Sequence, residues 1–230
     1  MAGSQAALEL ARDLAIPHVT AYALIFAAEI HLNRREAALA RERAEAAIAL
    51  SLEEGFPLLS TWGAILRGWS QVEQGQWQAG IDQIREGLTA YRATGAEVWV
   101  THFLALLAEA CEKAGQTAEG LDVLQAAGGV IEKNQEHIYE AELHRIRGLL
   151  LLRQETAAAE AAFEKAIGVA RCQGARSLEL RAMLSLARLW QQQGRLDDAR
   201  QGLATLCSGF TEGMDTPDLI DARALLDELG

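Results

Sequence analysis

The chain is short of several residue types, and each shortage excludes a class of protein. It contains three prolines in 230 residues, so helix breakers are too few to interrupt long helices often. Its three cysteines, Cys111, Cys172 and Cys207, form no CxxC pair. So few and so scattered cysteines exclude a disulfide-rich secreted scaffold and predict reduced thiols in a cytoplasmic protein.

The sequence also lacks the marks of an exported, membrane or nucleic-acid-binding protein. Its N-terminal stretch has no basic segment and places Glu9 and Asp13 where a signal peptide is apolar. The longest apolar run, 19–28, is too short for a bilayer, which takes roughly 20 residues. The formal net charge of −11 disfavours nucleic acid and anionic lipid as partners. We therefore predict a cytoplasmic protein that binds neither nucleic acid nor membranes.

Catalytic and nucleotide-binding motifs are absent from the sequence. It contains no GxxxxGK[ST], GxGxxG, GxSxG or HExxH pattern. His137, Glu140 and His144 share one face of a predicted helix and form a candidate zinc site, but the polar side of a surface helix explains them better. Cys111 takes a position that the other repeats described below fill with varied residues, which predicts a packing role. We predict no enzymatic activity, no cofactor and no metal.

What the sequence does contain is an internal repeat of about forty residues. Two series of turn segments recur at this step: AIPH, GFPL, TGAE, NQEH, QGAR and EGMD in one, and RRE, QGQ, AGQ, RQE and QGR in the other. Two interleaved turn series at one period predict a repeated helix–turn–helix within a single domain. The predicted repeats are 17–54, 55–94, 95–134, 135–174 and 175–213, with 1–16 as the second helix of a preceding repeat and 214–230 as a capping helix.

Small residues at fixed places in both helices of each repeat support this division. After the inner turns come Ala40, Gly80, Gly120, Ala159 and Ala199, and before them come Ala28, Gly68, Ala108, Gly148 and Ala187. Small side chains allow two helix backbones to cross closely. The arrangement resembles the tetratricopeptide repeat, although its period exceeds that family's usual 34 or so residues. The resemblance implies an all-α, tetratricopeptide-like, right-handed superhelical solenoid of about five repeats.

The acidic stretch FTEGMDTPDL at 210–219 admits two interpretations, a metal site or a boundary between helices. Gly213 suits a left-handed helix C-cap, Thr216 an N-cap and Pro217 a first helical position. The two aspartates of the stretch are too few oxygen ligands for a cation. We therefore predict the start of a capping helix, which a solenoid needs to cover its last apolar face.

The same C-terminal segment carries a family resemblance. LELRAMLSLARLWQQQGRLDDAR and FTEGMDTPDLIDARALLDEL resemble the C-terminal end of large bacterial multidomain signalling proteins. In those proteins an adenylate/guanylate cyclase domain precedes an ATPase module and a tail of tetratricopeptide-like repeats. GFPLLSTWGAILRGWSQVEQGQ resembles the middle of that tail. The resemblance implies a fragment of a larger bacterial signalling protein, without the family's catalytic and ATP-binding motifs.

The resemblance to tetratricopeptide repeats also indicates which residues face the concave surface, where partners bind. The partner-binding candidates are Tyr22, Glu29, Asn33, Trp62, Trp69, Glu73, His102, Glu109, Lys113, Arg145, Arg181 and Arg188. Trp62 and Trp69 either anchor a partner peptide or fill gaps between repeats. The arginines either receive an acidic segment or pair with Glu142 and Glu179.

These features predict a scaffold or sensory module that binds a peptide or a partner domain, including other domains of its parent chain. Two alternatives remain open. One is a small-molecule effector-binding regulatory domain, in which the tryptophans stack on the ligand. The other is an oligomerisation module that forms a homo-oligomer through the unpaired face of ALELARDLA, residues 7–15.

Overall fold

In a computed structural model, which describes residues 2–230, the chain folds into twelve α-helices. They are α1 (Ala2–Asp13), α2 (Pro17–Asn33), α3 (Ala37–Glu54), α4 (Pro57–Glu73), α5 (Trp77–Ala93), α6 (Val100–Lys113), α7 (Thr117–Asn134), α8 (Glu140–Leu151), α9 (Thr156–Cys172), α10 (Arg176–Gln192), α11 (Leu196–Cys207) and α12 (Pro217–Glu228). The predicted all-α class is confirmed, and each of the five predicted repeat ranges contains two of these helices.

The turns between helices, except the one between α8 and α9, share one backbone feature, a residue with a left-handed φ. They recur at steps of about twenty up to Gln135 and again from Gly174: Ala15, Arg35, Gly55, Gly75, Gly95, Gly115, Gln135, Gly174, Gly194 and Gly213. The left-handed region is costly for residues with a Cβ but open to glycine. Seven of these ten positions are glycine for that reason, so the glycine spacing in the sequence is the spacing of the turns.

The three prolines each begin a helix, as the first residue of α2, α4 and α12. A proline is tolerated there because the first helical N–H has no partner within the helix. Thr216 takes the N-cap position of α12, as predicted, but its hydroxyl donates to the carbonyl oxygen of Gly213 and caps no N–H of the helix. The prediction that Gly213 caps the preceding helix is wrong: α11 ends at Cys207, because Ser208 and Gly209 are poor helix formers.

The helices pack as two compact units, unit 1 up to Gln116 and unit 2 from Thr117 to Gly230. Unit 1 contains α1 to α6, and unit 2 contains α7 to α12. Within each unit every helix packs against the next one along the chain. Alternate helices also touch, α2 with α4 and α4 with α6 in unit 1, and α8 with α10 and α10 with α12 in unit 2. The continuity of the repeats in one domain stays a prediction.

Small residues bring helix backbones together where the sequence predicted it. A Cβ added to Gly80 of α5 would lie 2.6 Å from the carbonyl oxygen of Gly68 on α4. In unit 2, a Cβ on Gly148 of α8 would lie 2.4 Å from the ring of Phe163 on α9. These contacts leave no room for a side chain, so the glycines set the separation of the paired helices.

The core of each unit is apolar. Its largest fully buried side chains include Ile25, Leu59, Ile65, Ile81 and Phe103 in unit 1 and Ile146, Phe163, Leu180 and Leu186 in unit 2. Between residues 2 and 230, no helix has both the length and the apolar content needed to cross a membrane.

Candidate partner-binding site

Aromatic side chains gather on the face of unit 1 formed by α2, α4 and the start of α6. We call Tyr22, Phe26, Trp62 and Trp99 the aromatic patch. The ring centroid of Phe26 lies 6.3 Å from that of Tyr22 and 5.7 Å from that of Trp62, and the centroids of Trp62 and Trp99 are 5.6 Å apart. Phe26 is 45% exposed, Tyr22 and Trp99 are half-buried, and Trp62 is 3% exposed. The patch therefore presents aromatic surface to solvent on a buried base.

Local backbone structure places these rings. Tyr22, Phe26 and Glu29 share one face of α2 because they are spaced by four and three residues. Trp99 precedes the first residue of α6 with φ 67° and ψ 1°. A left-handed backbone is unusual for a bulky aromatic residue, so the surrounding packing must hold it there. This conformation brings the Trp99 indole against Trp62.

A buried carboxylate lies at the base of the patch. Glu29 is 8% exposed, and its Oε1 accepts a hydrogen bond of 2.8 Å from the indole Nε1 of Trp62. The ring of His102, which is 2% exposed, places Nε2 at 3.1 Å from Oε2 and 3.3 Å from Oε1 of Glu29. An ionised carboxylate only accepts hydrogen bonds, so His102 donates from Nε2. We call Glu29, Trp62 and His102 the Glu29 cluster.

The remaining predicted residues of unit 1 are placed less favourably for a partner. Asn33 is exposed and donates to the backbone oxygen of Glu29 at 2.9 Å. Trp69 is buried, so its side chain fills the interior of the unit. Glu73 and Lys113 are half-buried and form an ion pair between α4 and α6, and Glu109 is half-buried.

The predicted arginines of unit 2 hold carboxylates of the chain itself. Arg145 donates to both oxygens of Glu142, from Nη2 at 2.7 Å and from Nε at 3.0 Å. Arg181 reaches Glu142 at 3.3 Å and Asp218 at 3.2 Å, so the ion pairs connect α8, α10 and α12. Of the two alternatives for the arginines, these contacts match pairing with Glu142 rather than with an acidic segment of a partner. Glu179 pairs with Arg171 instead.

Arg188 is the exposed member of the predicted arginines. Its Nη2 lies 3.6 Å from the carboxylate of Asp221, at the surface of unit 2. An exposed pair at this distance contributes little to stability.

The buried ion pairs make unit 2 sensitive to acid. Burial alone would raise the pKa of Glu142, but Arg145 and Arg181 outweigh it and hold this pKa well below its usual range. A carboxyl group with a lowered folded-state pKa stabilises the protein above its ordinary pKa of 4.5. That stabilisation is lost as the pH falls from 4.5 through the folded-state pKa of Glu142.

We therefore expect the free energy of unfolding to fall as the pH drops below 4.5, measured by urea denaturation at a series of pH values. Glu142→Gln should flatten this dependence because the titrating group is gone. Glu164→Gln, which removes an exposed carboxylate from α9, is the matched control. Equal acid sensitivity in Glu142→Gln and the unmodified chain would contradict the assignment to Glu142.

The candidate zinc residues do not share a helical face. His137 precedes α8, which begins at Glu140, so the prediction that all three lie on one helix is wrong. Glu140 lies 2.8 Å from Nδ1 of His137 and 3.7 Å from Nε2 of His144. Within the described part of the chain, no three His, Cys, Asp or Glu side chains are arranged to hold a metal ion.

Cys111 is buried in unit 1, and burial raises the pKa of its thiol. A raised pKa disfavours the thiolate form, so the geometry agrees with the packing role predicted for this residue.

Two open grooves include no residue of the aromatic patch, although the ring centroid of His18, which lines the first, lies 5.0 Å from that of Tyr22. One, of about 480 Å³ in unit 1, is lined by residues that include His18, Phe56 and Pro57. The other, of about 570 Å³ in unit 2, is lined by residues that include His137 and Lys165. Trp62 and Trp69 line neither groove. The small-molecule alternative, which places the ligand on these tryptophans, gains no support from them.

Sequence reasoning missed two members of the patch, Phe26 and Trp99. The spacing of four residues from Tyr22 to Phe26 was a usable signal, because it places both rings on one helical face. Trp99 gave no comparable signal. It lies in the segment before α6, and only the backbone conformation there determines where its ring points.

Comparison with known proteins adds a distant relative and a shared fold. No protein-family model matches the chain. An uncharacterised protein of Rhizobium meliloti (strain 1021) is 29% identical over 139 residues, which are 60% of this chain and 14% of that protein. The match therefore spans a small part of a longer protein.

Solved structures share the architecture at low identity. The apo form of RapI has a TM-score of 0.70 at 14% identity, over 98% of this chain and 76% of that one. A Rap protein complexed with Competence and Sporulation Factor has a TM-score of 0.72 at 12% identity, over 92% of this chain and 57% of that one. A putative kinesin light chain of Podosopora anserina with nearly identical TPR-like repeats has a TM-score of 0.55 at 16% identity. The match covers 81% of this chain and 92% of that one. The fold is therefore an all-α, tetratricopeptide-like repeat.

Proposed function

We propose that this chain is a non-catalytic interaction module that binds a peptide or a segment of a partner protein on the aromatic patch of unit 1. The observation that carries the proposal is the exposed ring of Phe26 among three further aromatic rings above the buried Glu29 cluster. Aromatic anchors surrounded by well-packed residues are typical of the centres of protein interfaces. The strained backbone at Trp99 fits a site in which ring placement matters more than local stability.

The fold supports the same function. Helical repeats offer extended binding surfaces built from preformed helices, and they are generally scaffolds rather than catalysts. One structural neighbour is a Rap protein complexed with Competence and Sporulation Factor, and we infer by analogy that this chain also binds a partner. The resemblance to the tails of bacterial cyclase–ATPase proteins supports a partner in cytoplasmic signalling, and other domains of the parent chain are candidates.

The test is selection from a displayed library of random twelve-residue peptides on the full chain. We expect enriched peptides to bind Phe26→Ala at least about tenfold more weakly, because an aromatic anchor contributes on the order of 2 kcal/mol. The matched control is Leu52→Ala, which removes a 69% exposed side chain from α3. Enriched peptides that bind both variants equally, or the absence of any enriched peptide, would contradict the proposal.

Self-association is a second candidate, favoured by one observation. Leu10, Leu14 and Ile16 at the end of α1 and in the following turn are all exposed, between 46% and 60%. Adjacent exposed apolar side chains are unfavourable in water and favour contact with a second copy. Light scattering should then give a dimer mass that Leu10→Glu with Leu14→Glu reduces to a monomer. A monomer mass for the unmodified chain would exclude this candidate.

A further inference from the structure

We infer that the segment bound at the aromatic patch carries a lysine or arginine side chain. Its cation packs on the aromatic rings, and the Glu29 carboxylate supplies the opposite charge. This inference rests on the proposed function and names the chemistry of the occupant of the same surface.

The rings suit a cation. Lysine and arginine are attracted to the faces of Trp, Tyr and Phe rings within about 6 Å of the centroid, and most strongly to Trp. Neighbouring centroids in the patch are between 5.6 and 6.3 Å apart, so a side chain seated there contacts more than one ring. The chain uses the same interaction within unit 2, where Arg195 lies 4.7 Å from the ring centroid of Trp190.

The Glu29 cluster makes the site electrostatically selective. Its acidic member, Glu29, lies at the base of the rings, with Oε1 at 2.8 Å from Nε1 of Trp62 and Oε2 at 3.1 Å from Nε2 of His102. A charge that water screens poorly acts more strongly on a nearby ion than an exposed charge does. An ionised carboxylate has about four acceptor positions, and the two donors, Trp62 and His102, do not occupy all of them. Glu29 therefore retains the capacity to attract a cation.

The charged side chains farther along α4 and α6 are acidic on balance, although Arg67 of α4 is basic. Glu73 at the end of α4 and Glu109 and Glu112 near the end of α6 outnumber the neighbouring Lys113. The whole chain has a formal net charge of −11. A basic segment is attracted to this unit during encounter, whereas an acidic one is repelled.

The experiment uses peptides from the selection that lose binding to Phe26→Ala. In each, the basic residue is replaced by norleucine, which keeps the aliphatic stem and removes the charge. We expect the affinity for the unmodified chain, measured by fluorescence anisotropy, to fall at least about tenfold. This arm requires no change in the protein, so it does not depend on the folding of a variant.

The second arm replaces the counter-charge. Glu29→Gln keeps an oxygen that accepts the Trp62 N–H, so the fold should persist, as circular dichroism can verify. The basic peptide should bind this variant more weakly by a similar factor, and norleucine should then cost much less than it does with the unmodified chain. Norleucine should reduce the affinity less in this variant because Glu29→Gln has already removed the attraction between the carboxylate and the cation.

The outcomes separate this inference from the proposed function. Peptides that need Phe26 but contain no basic residue, or tolerate norleucine, would overturn the inference and leave the binding function standing. Unchanged affinity in Glu29→Gln would overturn the role of the carboxylate. If no peptide depends on Phe26, both the function and the inference fail.

Discussion

Replacing Gly80 by alanine should lower the free energy of unfolding by about 3 kcal/mol. The added Cβ would lie 2.6 Å from the carbonyl oxygen of Gly68 and 2.5 Å from Cγ2 of Val72. A backbone oxygen cannot rotate away as a flexible side chain can, so α4 and α5 must separate. Their separation loosens contacts along both helices, which is why the cost exceeds that of an ordinary surface change.

The matched control for this prediction is another helical glycine. Gly128 lies in α7, and a Cβ added there would meet no atom within 4 Å. Gly128→Ala should raise the free energy of unfolding by about 0.5–1 kcal/mol, because alanine is the better helix former. Urea denaturation followed by circular dichroism measures both variants. A Gly80→Ala chain as stable as the unmodified one would contradict the close crossing.

Replacing Arg145 by methionine should lower the free energy of unfolding by about 3 kcal/mol. Arg145 and Glu142 are each 6% exposed, and the change removes two hydrogen bonds that the carboxylate receives. Methionine preserves most of the apolar stem, so the loss measures charge pairing rather than a cavity. Arg181 remains 3.3 Å from Glu142, which limits the cost.

Arg188→Met is the control for this second prediction. Arg188 is exposed and lies 3.6 Å from Asp221, so its replacement should change the free energy of unfolding by no more than about 0.5 kcal/mol. Both variants remove one arginine from α8 or α10, so their net charges are equal. Equal changes in the free energy of unfolding for Arg145→Met and Arg188→Met would contradict the prediction that the buried pair contributes more to stability than the exposed one.

The repeat and its turns were accessible from the sequence because glycine and proline constrain the backbone directly. Gly55, Gly75 and Gly95 adopt the left-handed φ that marks a turn, and Pro17 and Pro57 each begin a helix. These constraints are local, so one sequence suffices to predict them. The end of α11 was not predictable in the same way, since Gly213 has the expected φ but lies in a loop beyond the helix.

The candidate site was predictable only in part, because side-chain burial depends on neighbouring helices. The sequence placed Glu29, Trp62 and His102 on first helices of successive repeats, and the structure joins them by hydrogen bonds. It did not indicate that all three are buried, since helical spacing specifies a face but not its distance from solvent. The exposed ring that completes the patch, Phe26, was missed although its spacing of four residues from Tyr22 places both rings on one helical face.

The most direct test of the patch as a binding site follows the indole N–H signals of the five tryptophans by NMR. An enriched peptide is added to the ¹⁵N-labelled chain, with signals assigned through single Trp→Phe variants. We predict that the signals of Trp62 and Trp99 move, whereas those of Trp77 on α5 and Trp190 on α10 stay in place. A bound peptide that moves only Trp77 or Trp190, or moves no indole signal, would contradict the proposed site.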